Sequence, residues 1–114
     1  MKAFKLKKED IKNLITWKGP EGCMATDRIT VDGCKIGYMY REEPDSNYPD
    51  SGWRFFEGTE NEAYMNEIKN SGVYKLNTIC NYDTSIIPFL NSPIGSAFYK
   101  DENGEFKPEK LNIK

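Results

Sequence analysis

Lys35-Ile36-Gly37-Tyr38-Met39-Tyr40-Arg41 and, after a polar gap, Trp53-Arg54-Phe55-Phe56-Glu57 decide how this chain is read. Both stretches are short, rich in aromatic and branched residues, and bounded by turn formers, which marks strands. The gap, Glu42 to Ser51, holds Pro44 and Pro49. A proline removes a ladder donor, so no central strand runs through it. Upstream, Cys23–Thr26 reads as a strand and Asp27–Gly33 as a turn, with strand character in Ile29-Thr30-Val31. Downstream, Tyr74–Cys80 reads as a strand. Ala97-Phe98-Tyr99-Lys100 and Glu105-Phe106-Lys107 then flank Asn103-Gly104, the strongest hairpin signal in the chain.

Helices fit between and before these strands. Ile11, Leu14 and Ile15 have i, i+3, i+4 spacing, which predicts a short amphipathic helix over 9–17, stopped by Gly19-Pro20-Glu21-Gly22. Thr59-Glu60-Asn61-Glu62 has the form of a capping box and predicts a helix over 60–70, with Gly72 as its stop. Asp83 can cap a turn from Thr84 to Leu90 that Pro88 keeps short or bent, and the tail from Pro108 reads as frayed. Three strands in a run, then alternation with helices, then a hairpin predict an α+β domain. Its sheet is mostly antiparallel, of five or six strands, with two or three short helices packed on one face.

At 114 residues the chain reads as one domain, 1–114. Charged residues make up 30% of it and the mean hydropathy is −0.74, yet two tryptophans, seven tyrosines and six phenylalanines can close a modest core. No apolar run approaches the roughly 18 residues of a membrane helix, and the basic start lacks the apolar stretch of a secretory signal. Without histidine, a Ser-His or Cys-His nucleophile pair is excluded within the chain. Cys23, Cys34 and Cys80 form no C-x-x-C pair, and read as reduced packing residues of a cytoplasmic protein.

Carboxylates and amides alternate in the loop from Pro44 to Gly52. However, Pro49 stands where a side-chain ligand belongs and Phe56 where a bidentate glutamate would close a calcium loop. No phosphate-binding glycine loop and no nucleophile elbow is present, so neither metal, cofactor nor catalytic residue is expected. Charge is uneven: residues 1–18 carry six lysines against Glu9 and Asp10, and residues 41–62 carry seven acids against Arg41 and Arg54. That division argues against a nucleic-acid surface, which needs a continuous basic patch. The acidic stretch is either a solvated face or a partner-binding one.

Arg41 either pairs with the acids that follow it or grips a partner carboxylate, and Trp53 is either core or a rim anchor. Tyr48, in a loop of prolines and acids, is the better interface candidate. The partner-binding candidates are Arg41, Glu42, Asp45, Tyr48, Asp50, Trp53 and Glu57. Tyr82 and Asp83 join them from a junction where, with Asn77 and Asn81, structural turn and cap roles are the default.

Three strings stand in a telling order: Gly37-Tyr38-Met39-Tyr40-Arg41-Glu42-Glu43-Pro44-Asp45, Asp50-Ser51-Gly52-Trp53-Arg54-Phe55-Phe56-Glu57-Gly58, and Leu76-Asn77-Thr78-Ile79-Cys80-Asn81-Tyr82-Asp83. Together they resemble the bacterial immunity-protein-33 family, earlier catalogued as a domain of unknown function. The resemblance covers residues 22–107, with residues 1–21 a basic extension outside it. It implies an α+β domain found beside polymorphic toxin genes, with a role in neutralising a cognate toxin, and it carries over no catalytic residue. With the charge asymmetry it leads to neutralisation by direct binding. A nuclease toxin has a basic groove, to which the segment 41–62 would be steered. The alternative from the residues alone is a small-ligand or enzymatic domain that uses the loop 42–51 and Arg41.

Overall fold

Period-two alternation sends neighbouring residues of the aromatic stretch to opposite surfaces, and this division organises the fold. The computed structural model describes residues 2–110. β1 (Gly22–Thr26), β2 (Tyr38–Arg41), β3 (Asp50–Phe56), β4 (Ser71–Lys75), β5 (Ser96–Lys100) and β6 (Phe106–Lys110) form one six-stranded sheet in the order β4-β1-β3-β2-β5-β6. Every neighbouring pair is antiparallel except β1 with β3. The fold is α+β, as expected, with a mixed but mostly antiparallel sheet.

Cys23, Ala25, Met39, Trp53 and Phe55 leave the sheet on one side and are fully buried. Ile29 of α1 (Asp27–Thr30) and Leu76, Ile79 and Cys80 of α3 (Leu76–Cys80) share that core with Ile86. Burial raises the Cys23 thiol and lifts that of Cys80 to about 11, which suits packing residues. The opposite side carries Tyr38, Tyr40, Arg54 and Phe56. There α2 (Glu62–Asn66) approaches through Met65.

Several elements differ from the expectation. Residues 9–17 are not a helix: a 3₁₀ turn, Lys8–Asp10, leads into an extended strap. Its amides are captured from afar. Asn77 Oδ1 accepts from the N–H groups of Leu14 (2.7 Å) and Ile15 (3.3 Å), and Asn81 Oδ1 from Lys12 (2.9 Å). Both asparagines donate back to the Lys12 carbonyl, at 2.8 and 2.9 Å.

The stretch 74–80 divides into the end of β4 and α3, because Leu76, Ile79 and Cys80 form a buried i, i+3, i+4 face. Asp27–Thr30 is one helical turn without strand character, and β2 begins at Tyr38 instead of Lys35. The expected 60–70 helix shortens to α2 plus a 3₁₀ turn, Ile68–Asn70. Its cap is Asn61, which accepts from the Tyr64 amide at 2.8 Å, and Gly72 lies inside β4. Asp83 does cap the turn Thr84–Phe89, accepting from the Ser85 amide at 3.0 Å. The Asn103-Gly104 hairpin forms as read. Pro108 pairs with Phe98 in β6, while the tail beyond residue 110 lies outside the described residues.

Candidate partner-binding face

Asp50, Gly52, Arg54 and Phe56 alternate with the core residues of β3 and so share the second face of the sheet. Arg54 lays a two-pronged fork on Asp50, Nη1 to Oδ1 at 2.9 Å and Nη2 to Oδ2 at 2.7 Å, while its Nε donates to Glu42 at 2.7 Å. The Asp50 side chain is fully enclosed and that of Arg54 nearly so, whereas Glu42 is half exposed. Asp50 also accepts from the amides of Asp45 (2.7 Å) and Gly52 (3.0 Å). Burial alone would raise its pKa, but Arg54 and the two amides hold it at about 2. The same pair pushes the Arg54 pKa up.

This network fixes the loop between β2 and β3. Gly52 sits at φ +92°, and a Cβ there would strike the Glu42 carbonyl, so the chain can pass only with glycine. Asn47 donates its amide to Asp45 at 2.7 Å, Tyr48 lies against Gly22 of β1, and Glu42, Glu43 and Asp45 remain exposed. The structure therefore gathers Glu42, Asp45, Tyr48 and Asp50 around Arg54.

Other expected site residues are placed elsewhere. Among the described residues Arg41 forms no ion pair with the acids that follow it. It donates from Nε to Ser51 O and from Nη1 to Ser92 O, both at 2.9 Å, and lies over the ring of Trp17 at 5.5 Å. Trp53 is a core residue, with Nε1 donating to the Leu90 carbonyl at 3.0 Å. Tyr82 is buried under the strap, its hydroxyl donating to Thr30 O and accepting from the Leu6 amide. Asp83 is buried too, holding the Ile36 amide and Lys100 Nζ at 3.0 Å each. Glu57 stands past the far end of β3, beside Arg28 at 3.7 Å.

A cleft of about 290 Å³ between the strap and the loop does bring Arg41, Asp45, Tyr48 and Asp50 together. Arg41 is held by two carbonyls, and Asp50 by Arg54 and two amides. Among the described residues no three of Cys, Asp and Glu converge as a metal site.

Tyr38, Tyr40, Phe56 and Met65 were missed as surface residues. They line an open pocket of about 220 Å³ with Gly58 and Glu60. The signal was present, since Tyr38 and Tyr40 stand two apart in a strand whose middle residue, Met39, is apolar. Tyr99 pairs with Tyr38 in register and is 43% exposed, extending the aromatic band across β5.

The architecture is that of a small α+β domain with one sheet face sealed and the other largely open. The model of the immunity protein Imm33 domain matches residues 23–110, and the chain belongs to that family. The match spans β2 to β6 and all of β1 but its first residue, and leaves the strap outside it. A toxin protein is the general partner of such a domain. No curated protein and no solved structure matches the chain. Among the described residues no helix is long and apolar enough to cross a membrane.

Proposed function

We propose that this protein neutralises a bacterial toxin in the cytoplasm by binding it directly, without chemistry of its own, and that the open sheet face and its acidic loop make the contact. Membership of the Imm33 family over residues 23–110 is the observation that carries this reading. The geometry supports it in two ways. The loop is held in shape by the Asp50–Arg54–Glu42 network, so little ordering is needed on binding. The charges that matter are also fewer than the sequence suggests. Asp50 is neutralised by Arg54. Glu42, Glu43 and Asp45 face solvent at the rim and suit a basic, nuclease-type groove.

The test is association with the toxin encoded beside this protein, followed by stopped-flow fluorescence at low and high salt. Replacing Glu43 and Asp45 together by lysine is expected to slow association about tenfold at low salt and to leave folding unchanged. Asp50 is left in place, because its substitution would disturb the fold. An unchanged association rate removes the loop from the contact, and failure of the wild-type pair to bind overturns the function.

A further inference from the structure

Tyr38 and Phe56 are partners across β2 and β3, with Tyr40 two residues on. The three ring centroids lie 5.7 to 6.1 Å apart, Tyr40 and Phe56 nearly parallel at 12°. All three rings are only half-buried, and Met65 walls the pocket on the α2 side. Carboxylates surround them. Glu60 lines the pocket, Glu109 lies beside the Tyr38 hydroxyl, and Glu42 is close enough to Tyr40 for its charge to act on that phenol. Burial would push Glu60 toward its neutral form, but the Thr26 hydroxyl and two amides keep it charged. The neighbouring cation, Arg54, is held by Asp50 and Glu42.

Elsewhere the chain places its own cations over rings: Arg28 over Tyr64 at 4.6 Å, Lys100 over Phe106 at 4.9 Å, Arg41 over Trp17 at 5.5 Å. Among the described residues none lies over Tyr38, Tyr40 or Phe56. An aromatic floor attracts a cation through the ring quadrupole, and a carboxylate rim completes the pairing once water is excluded.

We propose that this pocket receives an arginine or lysine side chain projecting from the toxin and is the anchor of the contact. The inference rests on the toxin-binding reading of the same face. The apolar stem packs on Phe56 and Met65 while the charged head meets Glu60, the carboxylate that lines the pocket. Arginine fits better than lysine, because its planar guanidinium can stack on the parallel rings of Tyr40 and Phe56. A protein that grips phosphates must present such residues, so a basic groove supplies the occupant.

The probe is N-acetylarginine amide at millimolar concentration, with N-acetylcitrulline amide as its uncharged isostere, titrated into the full chain and followed by amide NMR. Arginine amide is expected to shift residues of β2, the end of β3 and α2, and the citrulline analogue to leave them in place. Tyr40→Leu, which keeps apolar area but removes the ring, should abolish those shifts and weaken toxin binding about thirtyfold, while Tyr40→Phe retains both. Tyr38→Leu serves as the second variant if Tyr40→Leu does not fold. No shift with arginine amide, or an equal shift with citrulline, overturns the pocket. Toxin that binds the Tyr40→Leu protein with wild-type affinity does the same and leaves the toxin-binding reading standing. Absence of toxin binding to the wild-type chain, with the arginine shifts intact, sinks that reading instead.

Discussion

The two faces of the sheet are closed by different physics. On the inner face Trp53 and Phe55 stack at 12° and 5.9 Å, and α1, α3 and the strap cover them. Water is excluded, and the polar atoms there serve as caps and clasps. On the outer face the centre is held by an ion pair, Asp50 with Arg54, and the flanking rings stay half-exposed. A sheet sealed twice by apolar contacts would have no surface left to offer. An ionic clasp at the centre fixes the loop geometry without covering the rings beside it, so loop order and exposed aromatic surface come from the same network.

That contrast predicts two large losses of unlike character. Trp53→Ala opens a cavity in the inner core and is expected to cost about 3–5 kcal/mol, read from urea unfolding. Arg54→Met leaves Asp50 buried without its partner and should cost about 3 kcal/mol or more at neutral pH. If the two faces were equivalent, both losses would be independent of pH. Instead, the Arg54→Met loss should shrink on acidification, because a protonated Asp50 no longer needs the guanidinium, while the Trp53→Ala loss stays constant.

The same carboxylate sets the acid limit of the wild-type protein. In the unfolded chain an aspartate titrates near ~3.9, and in the fold Asp50 is depressed to about 2. Its contribution is therefore fully present above the unfolded value and is lost as pH falls from there through the folded one. It amounts to roughly 2–3 kcal/mol. Asp83 and Glu60, also held below their ordinary values by hydrogen bonds that outweigh burial, act in the same direction. Unfolding midpoints from neutral pH down to the folded Asp50 value should fall for the wild type and fall less for Arg54→Met. Parallel curves would show that Arg54 is not what depresses Asp50.

Strands were the legible part of the chain. Aromatic alternation marked β2 and β3, and Asn103-Gly104 marked the β5–β6 hairpin, because local pattern and turn chemistry determine both. Tyr74–Cys80 misled because valine, tyrosine, isoleucine and threonine crowd it or its border, and strand propensity masked the Leu76, Ile79, Cys80 period. Glu42, Asp45 and Tyr48 were readable as a polar loop. The hub that organises them was not, because Asp50 and Arg54 stand four residues apart and meet only where β3 departs from regular pairing at Gly52, φ +92°. Tyr82 and Asp83 were readable as turn and cap residues, but not their partners Leu6, Ile36 and Lys100, which are distant in sequence.

The strap supplies the smallest test and the one that separates the inner face from the family core. Residues 9–17 have the apolar spacing of a helix, yet their amides bond to side chains more than 60 residues away, a choice no local pattern records. Asn77 takes two of those amides and donates to Lys12 O, so Asn77→Ala should cost about 1 kcal/mol. The loss should be local. Amide exchange of Leu14 and Ile15 is expected to accelerate while the strands of residues 23–110 keep their protection, because the clips are side chains of α3 and no strand hydrogen bond depends on them. Uniform loss of protection across the sheet would make the strap a cooperative part of the inner core. Local loss would make it a separable cover over a domain that closes with its own residues.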